Sequence, residues 1–187
     1  MSRPPKNSWP CQLHGVANQI QSHEGISQFS KSPYSRIDSI TLEIGPLEKL
    51  NVASITDTIT SFYSDKESKA RAIYSWIAHN IELDPKAIRS NDNKNTEPEN
   101  IIKFRKSTPF GIATLFQEMC SQANIRCLSV DGYVRRNADE YNDAPDEPNH
   151  SWNVVQLGNS PSEWFYVDVS MAAGSLDKKI TVFTPQI

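Results

Sequence analysis

At 187 residues, with 37% hydrophobic and 22% charged side chains, the chain holds enough for one globular domain with a substantial core and too little for two large ones. A net charge of -3 and a pI near 5.8 supply no concentrated basic face, which removes the electrostatic case for nucleic acid or an anionic membrane as partner. No apolar run reaches the length of a membrane span and no signal-peptide core follows Met1 to Lys6, so the expected setting is cytoplasmic, with a processed secreted form left open.

Residues 1–36 hold Pro4, Pro5, Pro10 and Pro33 among many Ser, Gln and Asn and read as an irregular N-terminal arm, ahead of a domain over 37–187. From Ile37 to Leu50 the apolar positions mix strand-like alternation with a Gly45-Pro46 break, which predicts a short extended segment and a turn. Val52, Ile55, Ile59 and Phe62 then fall at helical spacing, and Ala70, Ile73, Tyr74, Ile77 and Ile81 repeat it, so two helices follow in succession. Trp76 and His79 in the second are read as structural. Asp84-Pro85 is expected to end that helix, and Ser90 to Glu97 to form a surface loop.

Pro98 opens a short helix. Thr108-Pro109 is a stronger start, because the threonine hydroxyl caps orphan N–H groups and proline at the first helical position loses nothing it needed. Ile112, Leu115, Phe116 and Met119 carry this helix to about Ala123-Asn124. Cys127–Val134, His150–Leu157 and Trp164–Val169 are rich in Val, Tyr and Trp and predict three antiparallel strands. The acidic tract 138–148 joins the first two and reads by default as a solvated loop.

Cys11, Cys120 and Cys127 make neither a disulfide framework nor a zinc pattern; Cys120 and Cys127 read as small buried apolar residues, with a local disulfide between them left open. Four scattered histidines without neighbouring ligands suggest no metal, the acidic loop lacks the glycine and ligand spacing of a calcium loop, and no cofactor is called for.

Three segments belong together: Ser107-Thr108-Pro109-Phe110-Gly111-Ile112-Ala113-Thr114-Leu115-Phe116, His150-Ser151-Trp152-Asn153, and Tyr166-Val167-Asp168. In this order they resemble the active site of the transglutaminase-like families, in which a Gly-Val-Cys stretch opens a helix ahead of an aromatic-Ala-x-Leu-Phe run. Residues 66–84 resemble that family's Trp-Ile-x-x-Asn-Ile-x-Tyr-Asp helix with Leu83 in place of the tyrosine, and the likeness runs over roughly residues 65 to 177. It implies a fold of α+β class, papain-like, with helices packed against a small antiparallel sheet.

The resemblance also implies a cysteine nucleophile, a histidine that moves its proton and a carboxylate that orients the ring. His150 and Asp168 occupy the second and third positions. Aligning Ala113, Leu115 and Phe116 puts Pro109 in the first, and proline has neither a nucleophile nor an N–H. Cys120, eleven residues on, lies roughly 16 Å along the helix axis at about 1.5 Å per residue, out of reach. Ser107 and Thr108 flank the expected position and a hydroxyl near His150 is chemically conceivable, but Thr108 is better used as a cap and displacement from the nucleophile position points either side chain away from the histidine.

The resemblance thus implies a catalytically inactive domain that binds a protein or peptide in a vestigial cleft lined by Thr108, Phe110, Tyr133 and Trp152. Trp152 is read equally as a residue of the sheet core, and Trp164 as core. Two alternatives stand beside it: a peptidase or acyl transferase with an unorthodox nucleophile, and a structural interaction module. The sequence assigns no oligomeric state.

Overall fold

The computed structural model describes residues 33–90, 92, 96–134, 147–158, 160 and 163–173. Most of the N-terminal arm with Cys11, most of the acidic tract, and residues beyond Ala173 lie outside the described residues.

Apolar spacing and caps account for the helices. Helix α1 (Ser35–Ile44) is followed by α2 (Val52–Thr60), where the Asn51 side chain caps Ser54 N, and by α3 (Lys66–Asn80), where Asp65 does the same for Ser68 N. Helix α3 is buried on every side from Ala70 to Ile77, so it forms the centre of the helical layer, against α1, α2 and the long helix described below. Trp76 is fully buried and donates its indole N–H to Gly45 O at 2.9 Å, a structural role.

The segment from Ile37 was expected to be extended and is α1. Ile37, Ile40 and Ile44 also satisfy helical spacing, and Leu42, which made the pattern look alternating, is exposed. What fixes the helix is tertiary: Asp38 receives both Nε and Nη2 of Arg71 at 2.8 Å, with the pair almost wholly buried. The guanidinium lies 5.1 Å from the ring centre of Tyr34 and 4.9 Å from that of Tyr74, and the Tyr34 hydroxyl bonds Glu67.

Asp84-Pro85 also departs from expectation. Helix α3 ends at Asn80, a two-residue strand β1 (Glu82–Leu83) follows, and Asp84 then caps a new helix α4 (Pro85–Ser90) through Lys86 N and Ala87 N. The dipeptide acts as a helix start, by the same logic that applies at Thr108-Pro109. Helix α5 (Pro98–Phe104) ends at Arg105, which adopts a left-handed φ of 58°. Strand β2 (Lys106–Ser107) then pairs in parallel with β1, Asp84 N donating to Ser107 O at 2.8 Å.

Helix α6 (Pro109–Gln122) starts from that anchored point. Three antiparallel strands follow in the order β3-β4-β5: β3 (Cys127–Gly132), β4 (His150–Gln156) and β5 (Trp164–Val167). The α+β class holds: helices lie on one side of a small antiparallel sheet, with α6 in the contact layer. Ile112, Leu115, Phe116 and Met119 of α6 fill the core between α2, α3 and the inward residues Val155 and Val167. Trp164, expected in that core, is only half-buried and pairs with Gln156 at the start of β5.

Removing Asp38 leaves Arg71 charged and buried without its bidentate partner. Asp38→Ala is expected to lower unfolding stability by about 3 kcal/mol or more in urea melts, and the paired apolar replacement Asp38→Leu/Arg71→Met by clearly less. Equal losses in the two variants would mean that the ion pair does not fix α1.

Candidate active-site cleft

The cleft is built where the first turn of α6 meets the ends of β3 and β4. The Thr108 hydroxyl accepts from Gly111 N at 3.4 Å, and Pro109 takes the N1 position, where its missing N–H leaves nothing unpaired. Gly111 is needed for close approach: a Cβ there would lie 2.1 Å from Ser107 Oγ. The side of the helix is tied to the sheet by Asn153, fully buried in β4, whose Nδ2 donates to Ala113 O at 3.0 Å. Further along, Gln117 Oε1 accepts from Ser129 N of β3 at 2.6 Å.

On the sheet, Asn149 fixes the entry to β4. Its side chain accepts from Val134 N at 2.8 Å and donates to Val134 O at 3.1 Å, in the manner of one more strand pair. His150, the first residue of β4, then lies with its Nε2 2.6 Å from Asp168 Oδ2. The Ser170 hydroxyl donates to Asp168 Oδ1 at 2.7 Å and stands 3.4 Å from His150 Nε2; Met171 N also donates to Oδ1. Burial raises the Asp168 carboxyl. Hydrogen bonds from His150 and Ser170, the His150 charge and the Met171 N–H outweigh it and hold Asp168 below the usual carboxylate range.

With Nε2 committed to Asp168, Nδ1 is the ring nitrogen left for anything in the cleft. Trp152, two residues on and on the same face of β4, stacks on His150 with ring centres 6.3 Å apart. Its indole occupies the space a Cβ on Gly132 would need, so it covers the glycine opposite His150.

A cavity of about 300 Å³ joins these parts. Thr108, Pro109 and Phe110 from α6 line it together with His150, Ser151 and Asp131 from the sheet; Ala87 and Ile88 of α4 and residues 147–149 complete the wall. Of the residues expected in the cleft, Thr108 and Phe110 line this cavity with Pro109 and His150. Asp168 reaches it only through His150. Trp152 acts as the support behind the imidazole, and Tyr133 is exposed without lining the cavity. Cys120 is fully buried and Cys127 half-buried, both free thiols and neither in the cavity; burial, then Cys127 beside it, pushes the Cys120 thiol well up. Among the described residues no group of three or more His, Cys, Asp or Glu could hold a metal ion, and no helix is long and apolar enough to cross a membrane.

Three participants were not foreseen. Ser170 was legible only as the third residue of an Asp-x-Ser turn. Tyr74, on α3, lies within range of the Asp168 charge: burial chiefly pushes its phenol up, the Arg71 charge opposes, and the charges of Asp168 and Asp38 add to the rise. The Ser151 hydroxyl donates to Asp131 Oδ1 at 2.6 Å across the β3–β4 pair, which alternation along the strands could have suggested.

Residues 53–169 match the model of the transglutaminase-like superfamily, and the chain belongs to that family. The kyphoscoliosis peptidase of Mus musculus is 29% identical over 163 residues, a match covering 80% of this chain and 24% of that protein. Cytokinesis protein 3 of Schizosaccharomyces pombe is 29% identical over 106 residues, covering 57% of this chain and 11% of that protein. The chain spans about a quarter of the length of the curated kyphoscoliosis peptidases it matches. Among solved structures, a candidate cysteine protease from Cytophaga hutchinsonii superposes with a TM-score of 0.50 at 20% identity, over 65% of this chain and 37% of that one, which bears on the fold alone.

Because the folded state holds the Asp168 carboxyl below its unfolded value, the stabilisation from its ionised form is present above the ordinary carboxylate pKa, about 3.9, and is lost as pH falls through the folded value. The stability gap between the natural chain and Asp168→Asn should therefore shrink on going from about pH 5 to about pH 3 in urea melts. A gap that stays constant over that range would mean that the His150 and Ser170 contacts do not favour the carboxylate.

Proposed function

We propose that this domain is a non-catalytic member of its family that binds a protein or peptide segment in the cleft at the N-terminus of α6. The observation that carries this reading is Pro109, which shares the cavity with His150 and stands where the family resemblance calls for the nucleophilic cysteine. Its ring offers no attacking atom, and its nitrogen has no hydrogen to donate to an oxyanion.

Three of the hydroxyls nearby have hydrogen-bond partners, and the fourth, Ser107 Oγ, has none among the described residues but does not line the cavity that holds His150. Thr108 caps the helix, Ser151 donates to Asp131, Ser170 donates to Asp168, and Ser107 is buried against Gly111. Cys120 is sealed in the core. An enzyme with an unorthodox nucleophile thus has no ready candidate among the described residues. What persists is a shaped wall and an imidazole held in one orientation, which suits recognition of a polypeptide. A relative named as a peptidase supports a cleft proportioned for an extended chain. The free thiols of Cys120 and Cys127 fit a reducing, cytoplasmic setting.

If His150 and Asp168 are a retained catalytic pair, returning the thiol should reveal it. Pro109→Cys, treated with iodoacetamide near pH 7 and mapped by mass spectrometry, is expected to label at residue 109 about tenfold or more faster than Pro109→Cys/His150→Ala. Equal labelling rates in the two proteins would refute the proposed site alignment.

A further inference from the structure

The two described thiols meet at the end of α6 that the cleft does not use. The helix stops in a fixed reversal: Asn124, with a left-handed φ of 59°, donates its N–H to Ser121 O at 3.0 Å, and Ile125 N donates to Cys120 O at 2.8 Å. This pair of bonds turns the chain back on the last turn of α6 and sets Ile125 beside Cys120. From there the backbone is extended, and Arg126 O already accepts from Gln156 N at 2.9 Å. Buried Ile125, exposed Arg126, half-buried Cys127 and exposed Leu128 alternate, so Cys127 faces the same layer as Ile125; its partner across the ladder is the fully buried Val155.

A second contact brackets Cys127 from the other side. Ser129 N donates to Gln117 Oε1 at 2.6 Å, which fixes the level of β3 against α6. Going back from Ser129 to Cys127 covers about 6.6 Å of strand, and going forward from Gln117 to Cys120 covers about 4.5 Å of helix. Helix and strand run in opposite directions here, so the two cysteines arrive at the same level between the Ile125 and Ser129 contacts. Cys127 packs against the core cluster to which Cys120 belongs. After burial, Cys127 is also the neighbour that pushes the Cys120 thiol up.

We propose that Cys120 and Cys127 are a reversible redox pair, a modification site that closes to a disulfide by exchange with a low-molecular-weight disulfide and ties the end of α6 to β3. Cys127, the more exposed of the two, loses its proton to solvent and attacks one sulfur of the small disulfide; the other half leaves as a thiolate and takes up a proton. Cys120, sealed from solvent and held beside the new mixed disulfide, then attacks the Cys127 sulfur. Its proton goes to the second small thiolate as that leaves. Two protein thiols are oxidised to one disulfide, and one small disulfide is reduced to two thiols. The pair lies away from Pro109 and His150, and its chemistry is independent of what the cleft binds.

The test is incubation of the folded full chain with glutathione disulfide, followed by alkylation, trypsin and mass spectrometry. Cleavage after Arg126 separates residues 107–126 from 127–135, so the disulfide reads as a linked pair of peptides. That pair is expected as the main product, and dithiothreitol should return both thiols. In Cys120→Ala, a mixed disulfide with glutathione on Cys127 should persist about tenfold or more longer than in the natural chain, and in Cys127→Ala, Cys120 should stay reduced. Three results would overturn the proposal: a lasting mixed disulfide on Cys127 of the natural chain, a bond from either cysteine to Cys11, or thiols that react only in urea. Urea melts check that each variant folds, and where one does not, the peptide map of the natural chain decides alone.

Discussion

The hydrogen bond from the buried Asn153 amide to Ala113 O is the contact on which the site depends. Asn153 sits in β4 three residues after His150, and Ala113 sits in α6 four residues after Pro109. One contact therefore sets the start of the helix against the start of the strand. A buried amide that finds a carbonyl across a layer boundary is directional, whereas the surrounding Ile112, Leu115 and Phe116 contacts would tolerate sliding. Gly111 against Ser107 at one end, and Gln117 on Ser129 N along its length, leave the helix little freedom to shift.

The imidazole is fixed from the other side. Asp168 and Ser170 hold its Nε2 edge, Trp152 stacks on its ring, and Asn149 closes the strand ends just before it. Tyr74, which packs on the Arg71 guanidinium and feels the charge of Asp168, lies between this cluster and the helical layer. Such over-determination suits catalysis, and it equally suits the rigid recognition surface proposed for this cleft.

Much of this was legible in the residues, for identifiable reasons. The Thr108 cap with Pro109 at N1, the 3.6-residue spacing of α2, α3 and α6, and the Val-rich and aromatic strands are local signals, and the structure follows them. The family resemblance brought His150 and Asp168 together across eighteen residues, where spacing alone could not. The misses have a common cause. At α1 a tertiary ion pair and an exposed Leu42 decided between two periodicities that both fitted. At Asp84-Pro85 the same dipeptide can end one helix or start the next and the fold uses it as a start, while the two-residue strands β1 and β2 are too short to carry a pattern. Trp164 has the residue type of a core position and a place at the edge of one. Ser170 and Tyr74 became site neighbours only through the fold.

Membership of the transglutaminase-like superfamily makes hydrolysis and acyl transfer the chemistry to look for, and Pro109 makes their absence the central claim. The most direct measurement is a peptide-hydrolysis and acyl-transfer assay on the unaltered full chain, run beside His150→Ala. The account predicts no turnover above background in either protein. Turnover in the natural chain that disappears in His150→Ala would contradict it, and would mean that a nucleophile other than residue 109 reaches the histidine.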